Sequence, residues 1–214
     1  MIIDEVAVRR PGRPKSEAKA IAIREAASQL FMTDGIERTS MDAIAQAAGV
    51  SKQTVYSHFK SKDDLFRECI RAKIRDYGLQ TSGFPATATI DDKLRHVGSR
   101  FLTLLSDPEV ICMFRLMIAE ATAFPRVSEA FHETGPLATI EFMTEIFAAH
   151  LDDEHLGLAR RIAGEFAALL KGEYMLGLLL GARDGIAADE IRDHVELTIS
   201  QFRTLYPMSD QPVR

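Results

Sequence analysis

Within the stretch from Met41 to Lys62, MDAIAQAAGVSKQTVYSHFKSK, six polar side chains crowd into seven positions: Lys52, Gln53, Thr54, Tyr56, Ser57 and His58. Nearly all can donate a hydrogen bond and none is acidic. Such a set suits recognition of acceptors better than bond-making. Phosphate oxygens and the acceptor-bearing base edges of a DNA major groove are such partners, read by donors and by side-chain amides. Val55 and Phe59 lie four apart among them, so on a helix both point to the opposite, inward side.

Catalytic chemistry finds no comparable case. His96, His132, His150, His155 and His194 fall on separate predicted helices without metal-ligand spacing. The chain carries no GxSxG, P-loop or dinucleotide fingerprint, and nothing brings its Ser, His and Asp residues together. No enzyme activity, cofactor or metal is expected. Cys69 and Cys112 show no CxxC spacing and read as reduced thiols.

The polar set needs elements to hold it. Thr39-Ser40 supplies an N-cap for a short helix to Ala48, and Ser51 caps a second to about Phe59. Gly49 joins them and can adopt the left-handed conformation of a tight turn. Ile44, Ala45 and Ala48 are small or branched, letting the second helix cross closely. Before them the sequence predicts a helix over 16–33, with Ile23, Ala26, Ala27, Leu30 and Phe31 on one stripe and Gly35 at its end. After them Ser61 caps a fourth helix, with Asp63 and Asp64 favourable to its dipole. A helix hairpin with an ordinary solvated face would share many of these features. What favours DNA is the coincidence of an acid-free face, a capped helix and a basic arm upstream.

That arm, 1–15, ends in Arg9-Arg10-Pro11-Gly12-Arg13-Pro14-Lys15, stiff and free of acids. Arg13 is placed to enter a narrow minor groove, although a solubilising tail would look the same. Charge is split in the same sense. The net charge is −5, yet residues 1–62 hold ten Lys and Arg against seven Asp and Glu, leaving the acidic excess to the rest.

At this point a resemblance carries weight. The phrases AASQLFMTDGIERTSM and IAQAAGVSKQTVYSHFKSKDDLF, within Ile23 to Leu65 and its neighbour Phe66, resemble the N-terminal domain of the TetR/AcrR family. The resemblance implies base-edge readers at Lys52, Gln53 and Tyr56. It implies phosphate contacts at Ser40, Thr54, Ser57, His58 and Lys62. At Lys62 a cation at a helix start opposes the dipole, and a phosphate would offset that.

Gly78 to Ala88 is rich in Gly, Pro and Thr and is the expected boundary between a DNA-binding domain over 16–80 and a helical regulatory and dimerisation domain over 89–207. Helices are predicted there at 91–106, 108–122, 125–133, 136–150, 154–182 and 187–205, with disorder from Met208 onward. The fold class expected is all-α. The segment from Phe114 to Ala121 followed by Phe124-Pro125 is similar to the rear domain of AefR-like members. That likeness implies a small-molecule effector among these helices, with Phe101, Met113, Phe114, Met117, Phe166, Leu170 and Tyr174 as lining candidates. Plain core packing is the alternative for each. Arg115, Glu120, Lys171 and Glu173 could supply polar specificity or surface charge. The last two predicted helices can form a four-helix bundle with a second copy, as the family typically does. No apolar run spans a bilayer, since Met175 to Leu180 is broken by Gly177, and a cytoplasmic location is expected. The expected function is a homodimeric regulator of operator DNA, a repressor released by an apolar ligand, or alternatively a ligand-independent or activating DNA binder.

Overall fold

The computed structural model describes residues 13–80 and 83–213, with side chains from Glu17 onward. The arm through Gly12 and the Arg13 side chain lie outside the described residues. Those described are helical, with no strand. The α-helices are α1 (Arg13–Asp34), α2 (Met41–Ala47), α3 (Lys52–His58), α4 (Lys62–Asp76), α5 (Ile90–Leu105), α6 (Pro108–Glu120), α7 (Pro125–His132), α8 (Ala138–Ala148), α9 (Ala159–Lys171), α10 (Tyr174–Leu180) and α11 (Ala188–Leu205). Two compact units meet between Cys69 and Ile70, inside α4, so the Gly-containing break after Tyr77 belongs to the second unit.

In the first unit α1, α2 and α3 pack together around Ile23, Ala27, Phe31, Ile44, Val55 and Phe59, with Leu65 and Phe66 from the start of α4 also buried. Phe31 and Phe66 meet edge to face at 5.7 Å, the arrangement their ring quadrupoles favour. The helix predicted from Ser16 begins earlier, at Arg13, because a proline in the first turn forgoes an N–H that has no intrahelical partner there.

The second unit has one core in which Phe166 packs against Phe147 and Phe202, with ring centroids 5.7 and 5.1 Å away. A Cβ at Gly98 would lie 3.2 Å from the Val195 side chain and 3.3 Å from that of Leu170, so glycine lets α5 approach α11 and α9 closely without shifting either side chain.

Three expectations for this unit are corrected. The helix predicted over 154–182 is broken at Gly172, whose φ of +40° and ψ of −136° no helix accommodates. The helices predicted at 125–133 and 136–150 run into one another through a π-helical turn, Glu133–Leu137, with Pro136 inside. Proline lacks an N–H and crowds the carbonyl four residues back, and one extra residue in the turn relieves both. The tail expected to be disordered is tied down. Ile90 N–H donates to the Asp210 carbonyl at 3.0 Å, Ser209 N–H to that of His150 at 3.2 Å, and Val213 N–H to that of Ala149 at 2.9 Å.

His150 anchors that strap. It is 1% exposed, its Nε2 lies 2.9 Å from Lys93 Nζ, and its Nδ1 lies 2.9 Å from the Ser209 carbonyl. An ammonium can only donate, so Nε2 accepts and the proton sits on Nδ1. Burial, with help from the Lys93 charge, holds this imidazole below its ordinary value.

Candidate nucleic-acid interface

The turn that carries α3 is built from the backbone outward. Gly49 takes φ +65°, Gly49 N–H donates to the Gln46 carbonyl at 3.2 Å, and Val50 N–H to that of Ala45 at 3.0 Å. These two bonds close α2 in the way a left-handed glycine allows. Ser51, extended at φ −72° and ψ 151°, accepts the Thr54 N–H at 3.1 Å and starts α3 one residue later. Ser40 does the same for α2, accepting the Ala43 N–H at 3.1 Å. Thr39 is buried and holds the preceding loop, donating to the Gly35 carbonyl at 2.8 Å.

With Val55 and Phe59 turned inward, Lys52, Gln53, Tyr56 and Ser57 are exposed, and the Tyr56 ring is 47% accessible despite its size. Positions 52, 53 and 56 are successive neighbours on a helical surface. The structure therefore gathers the expected base readers on one open patch. Thr54 and His58 are half-buried at its margins. The Thr54 hydroxyl shares a 2.8 Å bond with Ser51, and the Ser57 hydroxyl donates to the Thr54 carbonyl at 2.7 Å. Ser40 and Lys62 lie on neighbouring elements, at the starts of α2 and α4.

The face is not wholly acid-free. Lys52 Nζ lies 2.8 Å from one carboxylate oxygen of Asp42 and 3.0 Å from the other. The hydrogen bond and charge of Asp42 raise the Lys52 ammonium above its ordinary range. Lys62 Nζ donates to the Glu37 carbonyl at 2.9 Å, with the Glu37 carboxylate at 4.0 Å. Asp42 and Glu37 were missed by sequence reasoning because no helical spacing relates residue 42 to 52 or 37 to 62. The crossing of α2 and α3 brings the first pair together.

In the second unit the lining candidates divide. Phe101, Phe166 and Leu170 belong to the closed core, with Phe114 and Tyr174 packed partly exposed against it. Met117 is buried with its carbonyl accepting the Ser128 hydroxyl at 3.1 Å, and Met113 is half-buried. Phe114 stacks edge to face on Phe131 at 4.9 Å. Arg115 has a definite role: it donates to the carbonyls of Leu178 at 2.7 Å and Leu179 at 2.9 Å, closing the end of α10. Lys171 ends α9 and Glu173 precedes α10, on either side of Gly172. Asp107 caps α6 through the Glu109 N–H at 2.8 Å and also receives Lys73 of α4 and Tyr77 just after that helix, each at 2.7 Å. Burial alone would raise the Asp107 carboxyl, but those two donors hold it below the ordinary range. The Tyr77 phenol is pushed up to about 12 by burial and by Asp107.

No group of three or more His, Cys, Asp and Glu able to hold a metal ion occurs among the described residues, and no described helix is long and apolar enough to cross a membrane.

Comparison with known proteins agrees with this geometry. Residues 23–69 match the family model of bacterial regulatory proteins of the tetR family. Residues 92–207 match that of the AefR-like transcriptional repressor C-terminal domain. The regulator AcrR of Shigella flexneri is 48% identical over 46 residues, a match that spans only 22% of this chain and 21% of that protein. The flavonoid-responsive regulator FrrA is 29% identical, with a TM-score of 0.67 over 92% of this chain and all of that one. A TetR transcriptional regulator from Agrobacterium tumefaciens shares the fold at 19% identity, TM-score 0.66, over 92% of this chain and 96% of its own.

Proposed function

Because the chain belongs to the TetR family of bacterial regulatory proteins, we propose that it is a homodimeric repressor that binds operator DNA through α3 and leaves it when an apolar small molecule enters the second unit. The open face of Lys52, Gln53 and Tyr56 on a helix held by Ser51 and Gly49 carries the DNA reading. Ser40, Thr54, Ser57, His58 and Lys62 contact phosphates around it.

Dimerisation runs through α10 and α11. Leu176 and Leu180 on α10 are 63% and 73% exposed, and Leu197 on α11 is 55% exposed, large apolar groups that a second copy would cover. The effector is aromatic and sits near Met113, Phe114 and Met117, whose side chains yield space more readily than the closed core around Phe166. The relative at 29% identity bears a name recording a response to flavonoids, which are planar aromatics, and this supports the same class here. Release follows from α6. Asp107 at its start grips Lys73 and Tyr77, so a ligand that displaces α6 pulls on α4, one continuous helix from Lys62 to Asp76. The ligand's unequal affinity for the two arrangements sets how far DNA binding falls.

The test is a mobility-shift titration on the DNA upstream of the chain's own gene. A sequence-specific shift that weakens with salt is expected, and its absence removes the reading. Flavonoids added to the preformed complex then separate a ligand-released regulator from a ligand-independent one.

A further inference from the structure

Of the cationic groups on the proposed DNA face, Lys52 is held by both oxygens of one carboxylate, at 2.8 and 3.0 Å. Both side chains are mostly exposed, at 60% and 64%, so the pair sits on the outer surface beside Gln53 and Tyr56. We propose that Asp42 is a positioning residue that sets sequence specificity, presenting Lys52 to DNA as a neutral, oriented pair. The proposal rests on α3 being the DNA-reading helix.

An ammonium has three N–H donors, and the carboxylate engages it from one side. The donor left over is directed by Asp42, and it suits the acceptor atoms of a purine edge, such as guanine O6 or N7. Orientation before binding lowers the ordering cost of that contact. The charge is treated in the opposite way. A solitary lysine gains from any phosphate, whatever the sequence, and releases a counterion in doing so. Paired with Asp42 it contributes no net charge to that sequence-independent attraction. The two effects together widen the gap between the right site and all others. Mere competition for Lys52 would not do this, because an acid that had to be displaced on every DNA would weaken all sites alike.

The experiment compares the wild-type chain with Asp42→Asn on two duplexes, one selected by the wild-type chain from a random pool and one scrambled. Asp42→Asn is expected to bind the scrambled duplex roughly three- to tenfold more tightly at low salt. The slope of log K against log salt should steepen by about 0.9 on that duplex, the value for one further phosphate contact. Affinity for the selected duplex should gain less, so discrimination falls. The double variant Asp42→Asn with Lys52→Gln, again a neutral pair, should return the slope to that of the wild type while losing the site preference. An unchanged slope in Asp42→Asn, or an equal gain on both duplexes, overturns the proposal and leaves the DNA reading intact. A wild-type chain that selects no sequence removes both. Circular dichroism melts check the fold, and Asp42→Ser repeats the comparison if Asn perturbs α2.

Discussion

Gln53 and Tyr56 are exposed side chains a turn apart on α3, and neither is needed to hold it. Removing their polar ends should therefore cost recognition and little else. Gln53→Ala with Tyr56→Phe is expected to lower the preference for a selected duplex by about 1–3 kcal/mol per lost base contact, with an unaltered melting temperature. Fluorescence anisotropy on selected and scrambled duplexes reads it, and full retained preference would place the reading face elsewhere. His150 makes the opposite kind of prediction, because it is buried. Its folded value lies below the ordinary 6.5, so the unfolded chain binds more protons once the pH drops past that value. Stability is then complete above about 6.5 and is lost as the pH falls. Urea midpoints measured from pH 7.5 down to 5.5 should decline in the wild type and less in His150→Gln. At this scale the donors on α3 were legible in the sequence, since type and helical spacing suffice to put them on one face. Their acidic partners were not. Asp42 reaches Lys52 through the crossing of α2 and α3, and Glu37 reaches Lys62 from the turn between α1 and α2, so no spacing along one helix reveals either pair.

Elements were legible where a local cause sets them. Ser40, Ser51 and Gly49 mark the ends of α2 and α3 because a side-chain acceptor or a left-handed residue is needed there, whatever else the fold does. Where two local preferences compete, tertiary contacts decided. The run over 154–182 reads as one helix, yet it breaks at Gly172, where the carbonyls of Leu169 and Leu170 face His194 Nε2 at 3.2 and 3.1 Å. Tyr174 beyond the break packs on His194, with Arg183 over its other neighbourhood at 4.9 Å from the ring. Pro136 reads as a helix start and lies instead inside a widened turn. The break should be expensive to alter. At Gly49 a Cβ meets nothing within 4 Å, so Gly49→Ala costs only its left-handed backbone, about 1 kcal/mol. At Gly172 the backbone is one that L-residues scarcely enter, and Gly172→Ala should cost about 2–3 kcal/mol or restore a straight helix. Urea unfolding orders the two variants. Equal midpoints would mean that the break is soft.

At the scale of the whole molecule, the proposed repressor engages two half-sites with two recognition helices, which calls for a two-fold partner. Broken at Gly172, the last long apolar run leaves α10 as a seven-residue helix closed by Arg115 and Gly181, with Leu176 and Leu180 directed outward. Leu169 on α9 and Leu197 on α11 are also exposed, 38% and 55%, further apolar groups that a second copy would cover in the proposed dimer. Arg183 is meanwhile fixed by two bonds to Glu190, at 2.6 and 2.7 Å, so the connection between α10 and α11 is braced before any partner arrives. A rigid face of this kind loses little freedom on association. Leu176→Glu with Leu180→Glu places two charges where a partner's leucines would pack, and burying them unpaired is costly. Sedimentation equilibrium should then show a dimer for the wild type and a monomer for the variant, with helicity unchanged. Binding to a duplex with two half-sites should weaken by roughly a hundredfold or more, because the second α3 is no longer held at high effective concentration. A single half-site should be bound as well as by one wild-type protomer. If the variant stays dimeric, the shared surface lies instead on α6, where Ile118 is 62% exposed, and the α10–α11 assignment is wrong.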